Sequence, residues 1–344
     1  MNAAAPDKES RIRPLYHGGD LAAARSRFPT APRPFLDLST GINPNAYPVG
    51  ELSQEAWSRL PERSAVRALE AVAAMAYGVN DARGVVAAPG AQALIQVLPG
   101  LVAAKRVAIL GFTYEEHEAS WRAAGASVST VVELETLGDF DVAVVVNPNN
   151  PDGRRVEPTD LVALAARLAQ SGGTLVVDEA FMDTEPVAHS LVPVLPPVGA
   201  VVLRSFGKFY GLAGLRLGFA IASPGFADKF RRGLGPWAIS GAAIEIGSRA
   251  LADAHWRDRA KARLIKQAAR LDAMLGRAGF EIIGGTSLFR LARHPRAPDW
   301  AERLGQQGIW LREFPSAHAD RLRFGLPGAA SDWRRLESAL GNSE

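Results

Sequence analysis

The sequence predicts an α/β fold: a large domain on a mostly parallel mixed sheet, followed by a smaller C-terminal α+β domain. Three observations predict it. Between about residues 64 and 240, short β-branched runs alternate with stretches of helical apolar spacing, the rhythm of strands joined by crossover helices. Several of these runs end in loops rich in Gly, Asn and Pro, where open α/β sheets hold their ligands. The 344 residues, 47% of them hydrophobic, also supply enough apolar material for one large core and a second, smaller one.

Taken in order, Met1 to Arg13 is a polar lead-in expected to be disordered. Residues 14–63 are rich in Pro and Gly and read as an arm of loops and short segments. From Ala68 to Tyr77 the apolar spacing is helical, and Gly78 supplies a stop. Arg106-Val-Ala-Ile-Leu110 is a candidate buried strand, and Glu115 to Ala124 reads as a helix closed by Gly125. Val128–Val132 and Val142–Val146 are two more strands, Thr159–Ala169 is helical, and Thr174–Val177 and Ala200–Leu203 are short β-branched strands. From about Ser240 one long helical stretch runs to Arg277 and links the two domains. Beyond it, strands are expected near Ser287–Leu291, Ile309–Leu311 and Leu322–Gly325, with a last helix at Asp332–Leu340. The expected division is therefore 1–63 for the arm, 64–240 for the large domain, and 241–344 for the linker helix and small domain.

Charge is nearly balanced, with 39 Lys and Arg against 36 Asp and Glu and a net charge of +3. The signs alternate along the chain and no basic tract stands out, so nucleic acid is not an expected partner. The absence of cysteine rules out disulfides, thiolate metal sites and a cysteine nucleophile, and no metal is expected. No run approaches the ~20 apolar residues that span a bilayer, and Met1–Arg13 lacks the apolar core of a signal peptide. A soluble, cytoplasmic protein with no membrane partner is the expectation.

Four segments carry the chemistry, each placed after a predicted strand. Asn147-Pro-Asn-Asn-Pro-Asp-Gly153 follows Val142–Val146; by itself it is an ordinary turn, and as a site it presents the Asn150 amide to a ligand. Asp178 ends the strand Thr174–Val177, and an acid there is costly unless something pairs with it. In Arg204-Ser205-Phe-Gly-Lys208-Phe-Tyr-Gly211, a desolvated lysine would become a nucleophile that forms imines. In Gly214-Leu-Arg216-Leu-Gly218, Arg216 offers the bidentate fork that suits a phosphate.

Together and in this order, with Lys208 30 residues after Asp178, these segments resemble the fold-type I family of enzymes dependent on pyridoxal 5′-phosphate (PLP). The likeness is greatest to the branch containing histidinol-phosphate aminotransferases and threonine-phosphate decarboxylases, and it runs from about His17 to Arg323. It implies that Lys208 holds the cofactor as a Schiff base and later shuttles protons, while Asp178 pairs with the pyridine nitrogen. It further implies that Asn150 bonds the ring oxygen, and that Ser205, Arg216 and the backbone of Gly90-Ala91-Gln92 hold the cofactor phosphate. Tyr114 matches the aromatic that stacks on the ring, with His117 as an alternative. Arg323 matches the substrate-carboxylate arginine and Arg312 the substrate-phosphate position. Two departures stand out: Phe181 and Leu60 occupy positions where relatives often carry Tyr. The family is usually dimeric, so a homodimer is expected, with the 14–63 arm a natural partner for the second subunit.

The N-terminal segment separates the possible reactions. His17-Gly18-Gly19-Asp20, followed by Asp37-Leu-Ser-Thr-Gly41-Ile-Asn43-Pro44, resembles the threonine-phosphate decarboxylases of cobalamin biosynthesis. This places His17, Gly41, Asn150, Arg312 and Arg323 around a phosphorylated amino acid. The expected reaction is decarboxylation of L-threonine O-3-phosphate; the alternative is an aminotransferase of the histidinol-phosphate type. A non-catalytic regulator fits less well, because Lys208 and Asp178 are intact and residues 1–63 are too short and Pro-rich for a DNA-binding module.

Overall fold

Val142-Ala-Val-Val-Val146 is buried along its whole length, and so is Thr174-Leu-Val-Val-Asp178 beside it. A strand with no exposed face needs cover on both sides, which a parallel sheet between two helical layers provides. In this computed structural model, residues 17–314 and 318–341 are described. The expected disordered lead-in, Met1–Arg13, lies outside the described residues.

In chain order the strands are β1 (Leu36–Asp37), β2 (Val85–Ala88), β3 (Arg106–Leu110), β4 (Ser127–Val131), β5 (Val142–Val146), β6 (Thr174–Asp178), β7 (Ala200–Ser205), β8 (Gly218–Ile221), β9 (Glu281–Thr286), β10 (Phe289–Arg293), β11 (Ile309–Trp310), β12 (Arg312–Glu313) and β13 (Arg321–Gly325). The helices are α1 (Leu21–Arg27), α2 (Glu55–Ser58), α3 (Arg63–Tyr77), α4 (Ala91–Val97), α5 (Glu116–Ala123), α6 (Pro158–Gln170), α7 (Phe206–Phe209), α8 (Pro224–Leu234), α9 (Gly241–Ala252), α10 (Ala254–Arg277), α11 (Ala297–Gln306) and α12 (Ala330–Gly341). None of the described helices is long and apolar enough to cross a membrane.

Seven strands form the main sheet in the order β2-β8-β7-β6-β5-β3-β4. All neighbours from β7 to β4 are parallel; β8 runs against both β7 and β2. Alternate side chains feed different cores. Val142 and Val144 join the cluster with Leu94, Trp121 and Phe230 from α4, α5 and α8. Ala143 and Val145 join the larger cluster with Leu69, Leu161 and Leu264 from α3, α6 and α10. That period of two is the pleat of a strand.

A second, antiparallel sheet has the order β12-β13-β10-β9. The N-terminal segment reaches this part of the molecule: β1 pairs in parallel with β11, and Gly325 N donates to the Leu38 carbonyl at 2.7 Å.

Three local expectations change. The long helical stretch 240–277 is two helices. Asp253 leaves helical geometry, with φ −84 and ψ 79, and its side chain accepts from Trp256 N at 2.9 Å to cap α10. The expected strand 309–311 is shorter, Ile309–Trp310 pairing to β1, and a separate strand, Arg312–Glu313, follows it and pairs to β13. Strands β1, β2, β8 and β9 are not among the expected ones.

Candidate active site

The carboxyl ends of β5, β6 and β7 lie side by side and carry Asn147–Gly153, Asp178 and Ser205–Lys208 in turn. Ligands bind at this edge of an open α/β sheet. Here a cavity of about 440 Å³ is lined by every expected site residue except Gly41.

Lys208 sits on the single turn of α7 immediately after β7. The removal of water around its amine, helped by Arg323 and Arg216, pushes its pKa down to about 8 against the opposing pull of Asp178. A lysine shifted this way offers a neutral amine near physiological pH.

Asp178 is buried, and its partner is His117, whose Nε2 lies 2.9 Å from Oδ2. Because a carboxylate only accepts, that nitrogen carries the proton. Oδ1 accepts from Ala180 N at 3.0 Å. His117 is fully buried and does not line the cavity, whereas Tyr114 does. The next residue, Glu179, points to the opposite side of the strand and pairs with buried Arg204 at 3.1 Å.

The loop after β5 is held by its own asparagines. Asn147 bonds both backbone groups of Val156 at 3.0 Å, and Asn149 donates to Phe112 O at 3.0 Å and to Asp152 at 2.8 Å. Asn150 accepts through Oδ1 from Arg323, which leaves its NH₂ group as the donor for a ligand.

Arg216 adopts the left-handed region, with φ 52. Its guanidinium lies against Gly90, where an added Cβ would come within 2.8 Å of Nη2. Gly90 is itself at φ +86, so two constraints require glycine there. Ser205 pairs with Gly218 across β7 and β8, and a Cβ on Gly218 would meet Ala91 N at 2.5 Å. Ser205, Arg216 and the Gly90–Gln92 backbone thus converge with no room for extra side-chain atoms. This cradle, with Lys208 and the buried Asp178, fits the phosphate, aldehyde and ring nitrogen of PLP.

On the other wall, Arg323 of β13 is buried and donates to Ser39 O at 2.6 Å. Arg312 of β12 is its direct cross-strand partner. Like charges opposed in this way repel, and burial together with Arg312 works against the charge on Arg323. An anionic ligand relieves both costs. Phe181 lines the cavity and packs edge-on against Phe289, with ring centroids 5.0 Å apart. Gly41 stands one layer back: a Cβ there would meet Phe289 and Phe181 at 2.8 and 3.0 Å, so it seats Phe181 instead of lining the cavity. His17 lines the opening and pairs with Glu116 at 2.7 Å.

His117 and Glu116 are the two site-building residues that sequence reasoning did not single out for these tasks. The available signal was their place at the start of a helix directly after Tyr114.

Comparison with known proteins identifies the family. The family model for aminotransferase class I and II matches residues 43–340. A threonine-phosphate decarboxylase from Sinorhizobium sp is 45% identical, over 96% of this chain and 99% of its own. The threonine-phosphate decarboxylase of Pseudomonas aeruginosa is 41% identical, over 95% of this chain and 97% of its own. In fold, the histidinol-phosphate aminotransferase of Sinorhizobium meliloti, solved with pyridoxal 5′-phosphate, superposes with a TM-score of 0.82 at 21% identity, over 97% of each chain. The chain belongs to the aminotransferase class I and II family.

Proposed function

We propose that the chain is a PLP-dependent lyase that decarboxylates L-threonine O-3-phosphate to (R)-1-aminopropan-2-yl phosphate, the precursor of the aminopropanol linker of cobalamin. The observation that carries this reading is the cross-strand pair Arg312 and Arg323 in the same cavity as Lys208. A substrate with a carboxylate and a phosphate needs two cationic anchors, because one guanidinium cannot grip both groups bidentately. The near full-length likeness to two threonine-phosphate decarboxylases supports it as well.

PLP, when bound, supplies a ring that accepts the electron pair left as a bond at the substrate Cα breaks. The chain does the rest. Ser205, Arg216 and the Gly90–Gln92 backbone would hold the cofactor phosphate, and Lys208 would attach the cofactor covalently. The Asp178 carboxylate, oriented by His117, keeps the proton on the pyridine nitrogen. Asn150 donates to the ring oxygen, a task it bears without help from Phe181, which has no hydroxyl. Tyr114 covers the ring. Arg323 binds the substrate carboxylate, with Arg312 and His17 on the phosphate. With CO₂ released from Cα, Lys208 would be placed to supply the proton that takes its place there.

The proposal includes a cytoplasmic setting and a homodimer. Trp57, Leu60 and Trp237 are large apolar side chains at least 60% exposed, and Pro61, Arg63 and Trp237 line a groove of about 740 Å³ beside them. Such a surface suits a second subunit. The deciding experiment incubates purified protein with threonine phosphate and no keto acid. Release of CO₂ is expected; transfer of the amino group of histidinol phosphate to 2-oxoglutarate, with no CO₂ from threonine phosphate, would replace this reading with an aminotransferase.

A further inference from the structure

Glu116 is an anionic side chain in a cavity built for anions. It lines the same space as Arg216, Arg312 and Arg323, and its side chain is only 14% exposed. A carboxylate turned toward phosphate and carboxylate groups weakens their binding unless it does something that outweighs the repulsion. Its hydrogen bonds show what it holds. One oxygen accepts from His17 Nε2 at 2.7 Å. The other accepts from Gln92 Nε2 at 2.6 Å and Gln96 Nε2 at 3.2 Å. Gln92 in turn accepts from the Tyr114 hydroxyl at 3.1 Å. One carboxylate therefore ties His17 to the start of α4 and, through Gln92, to Tyr114.

The His17-Gly18-Gly19 segment has a second anchor. A Cβ on Gly18 would lie 2.3 Å from the Ser39 carbonyl oxygen, and Gly19 N donates to Ser39 Oγ at 2.8 Å. That same carbonyl accepts from Arg323 Nη2. The segment is thus a strap, latched to the residue that braces Arg323 at one end and to Glu116 at the other. His17, with 44% of its side chain exposed, sits at the cavity mouth between them.

We propose that Glu116 is a specificity-determining positioning residue: it holds His17 over the cavity mouth so that the imidazole meets the substrate's phosphate, and the site thereby selects phosphorylated over unphosphorylated ligands. This rests on the phosphorylated-substrate reading above. Glu116 can only accept, so His17 Nε2 carries a proton and Nδ1 is the nitrogen left for a ligand. In the imidazolium form, Nδ1–H is the charge-assisted donor that a phosphate oxygen takes. In that form the imidazolium charge also offsets the one that Glu116 would otherwise turn toward the ligand.

The test uses holoenzyme and two ligands that cannot be decarboxylated, 1-aminopropan-2-yl phosphate and 1-aminopropan-2-ol, with dissociation constants measured by calorimetry. Glu116→Ala should weaken the phosphorylated ligand by about tenfold and the alcohol by less than about twofold, the size of one charge-assisted contact. Glu116→Gln, which keeps the shape and guards against misfolding, should change binding in the same direction. His17→Ala should match Glu116→Ala, and the double variant should be no worse than about twofold beyond either, because both remove a single contact. Equal weakening of the two ligands, or additive losses in the double variant, would mean that Glu116 does not act through His17. If wild type itself fails to prefer the phosphorylated ligand, the phosphorylated-substrate reading falls too; if wild type prefers it and the Glu116 variants do so equally, only the role of Glu116 falls.

Discussion

Lys208 is a cation beside two others, and its chemistry follows from that neighbourhood. With its pKa lowered to about 8 from the ordinary 10.5, the amine is neutral over most of the alkaline range. Cofactor uptake by apoprotein should therefore quicken through about pH 8, read as growth of the absorption of the bound cofactor; a midpoint near 10.5 would show the amine to be solvated. Stability has the same origin. Folding strips water from a charged amine, a cost fully present below pH 8 and gone by pH 10.5, so Lys208→Met should raise the melting temperature of apoprotein at pH 7 and lose that gain as pH climbs through this window. Asp178→Asn keeps the shape and removes the charge. Turnover should fall by about 100-fold or more, as losses of preorganised charge do; a fall within about threefold, under ~1 kcal/mol, would exclude the role. Arg312→Ala should raise KM for threonine phosphate and shrink its specificity-constant ratio over free threonine by about tenfold, the worth of one guanidinium–phosphate contact. An unchanged ratio would remove Arg312 from the substrate site. At this scale Lys208, Asp178, Asn150 and Arg216 were legible because each stands in a short motif after a strand. His117 was not, because its contact with Asp178 joins residues 61 apart that only the packing of α5 on the sheet brings together.

Among the elements, β3, β5, β6 and β7 could be read from their apolar runs, since strands buried on both faces leave continuous Val, Leu and Ile. The strand Val85–Ala88 and the strand Gly218–Ile221 could not: each is only four residues long, the second holds a single β-branched residue, and their pairing is with each other and, for the second, with β7. The α9–α10 boundary was hidden because apolar spacing continues across Asp253, and only the side-chain cap reveals the break. The β7–β8 pair matters most for the site. It is an antiparallel ribbon whose connection carries Lys208 on one arm and Arg216 on the other, with Ser205 opposite Gly218 at its base. Gly90 packs on that connection. Gly90→Ala should displace Arg216 and strain a left-handed backbone position, at a cost of about 1–3 kcal/mol. The variant should lose cofactor on dialysis about tenfold or more faster than wild type; equal retention would mean that Arg216 does not bear the phosphate.

For the whole molecule, the proposed homodimer would cover Trp57, Leu60 and Trp237. Sedimentation should give a dimer, and Trp237→Glu should shift it toward monomer with a loss of turnover; a fully active monomer would contradict a dimeric working form. The cavity is walled by two separate sheets. Asp178 ends a strand of the seven-stranded one, and Lys208 and Arg216 lie on the connection between its strands β7 and β8, whereas Arg312 and Arg323 stand on the four-stranded one. On the proposed roles the arrangement resembles a socket and an exchangeable bit: one sheet would keep the reagent, the other would choose the workpiece. Recasting selectivity by changes at 17, 312 and 323 should leave the yellow, cofactor-loaded state intact, which makes colour a screen for variants that have changed preference without losing their reagent.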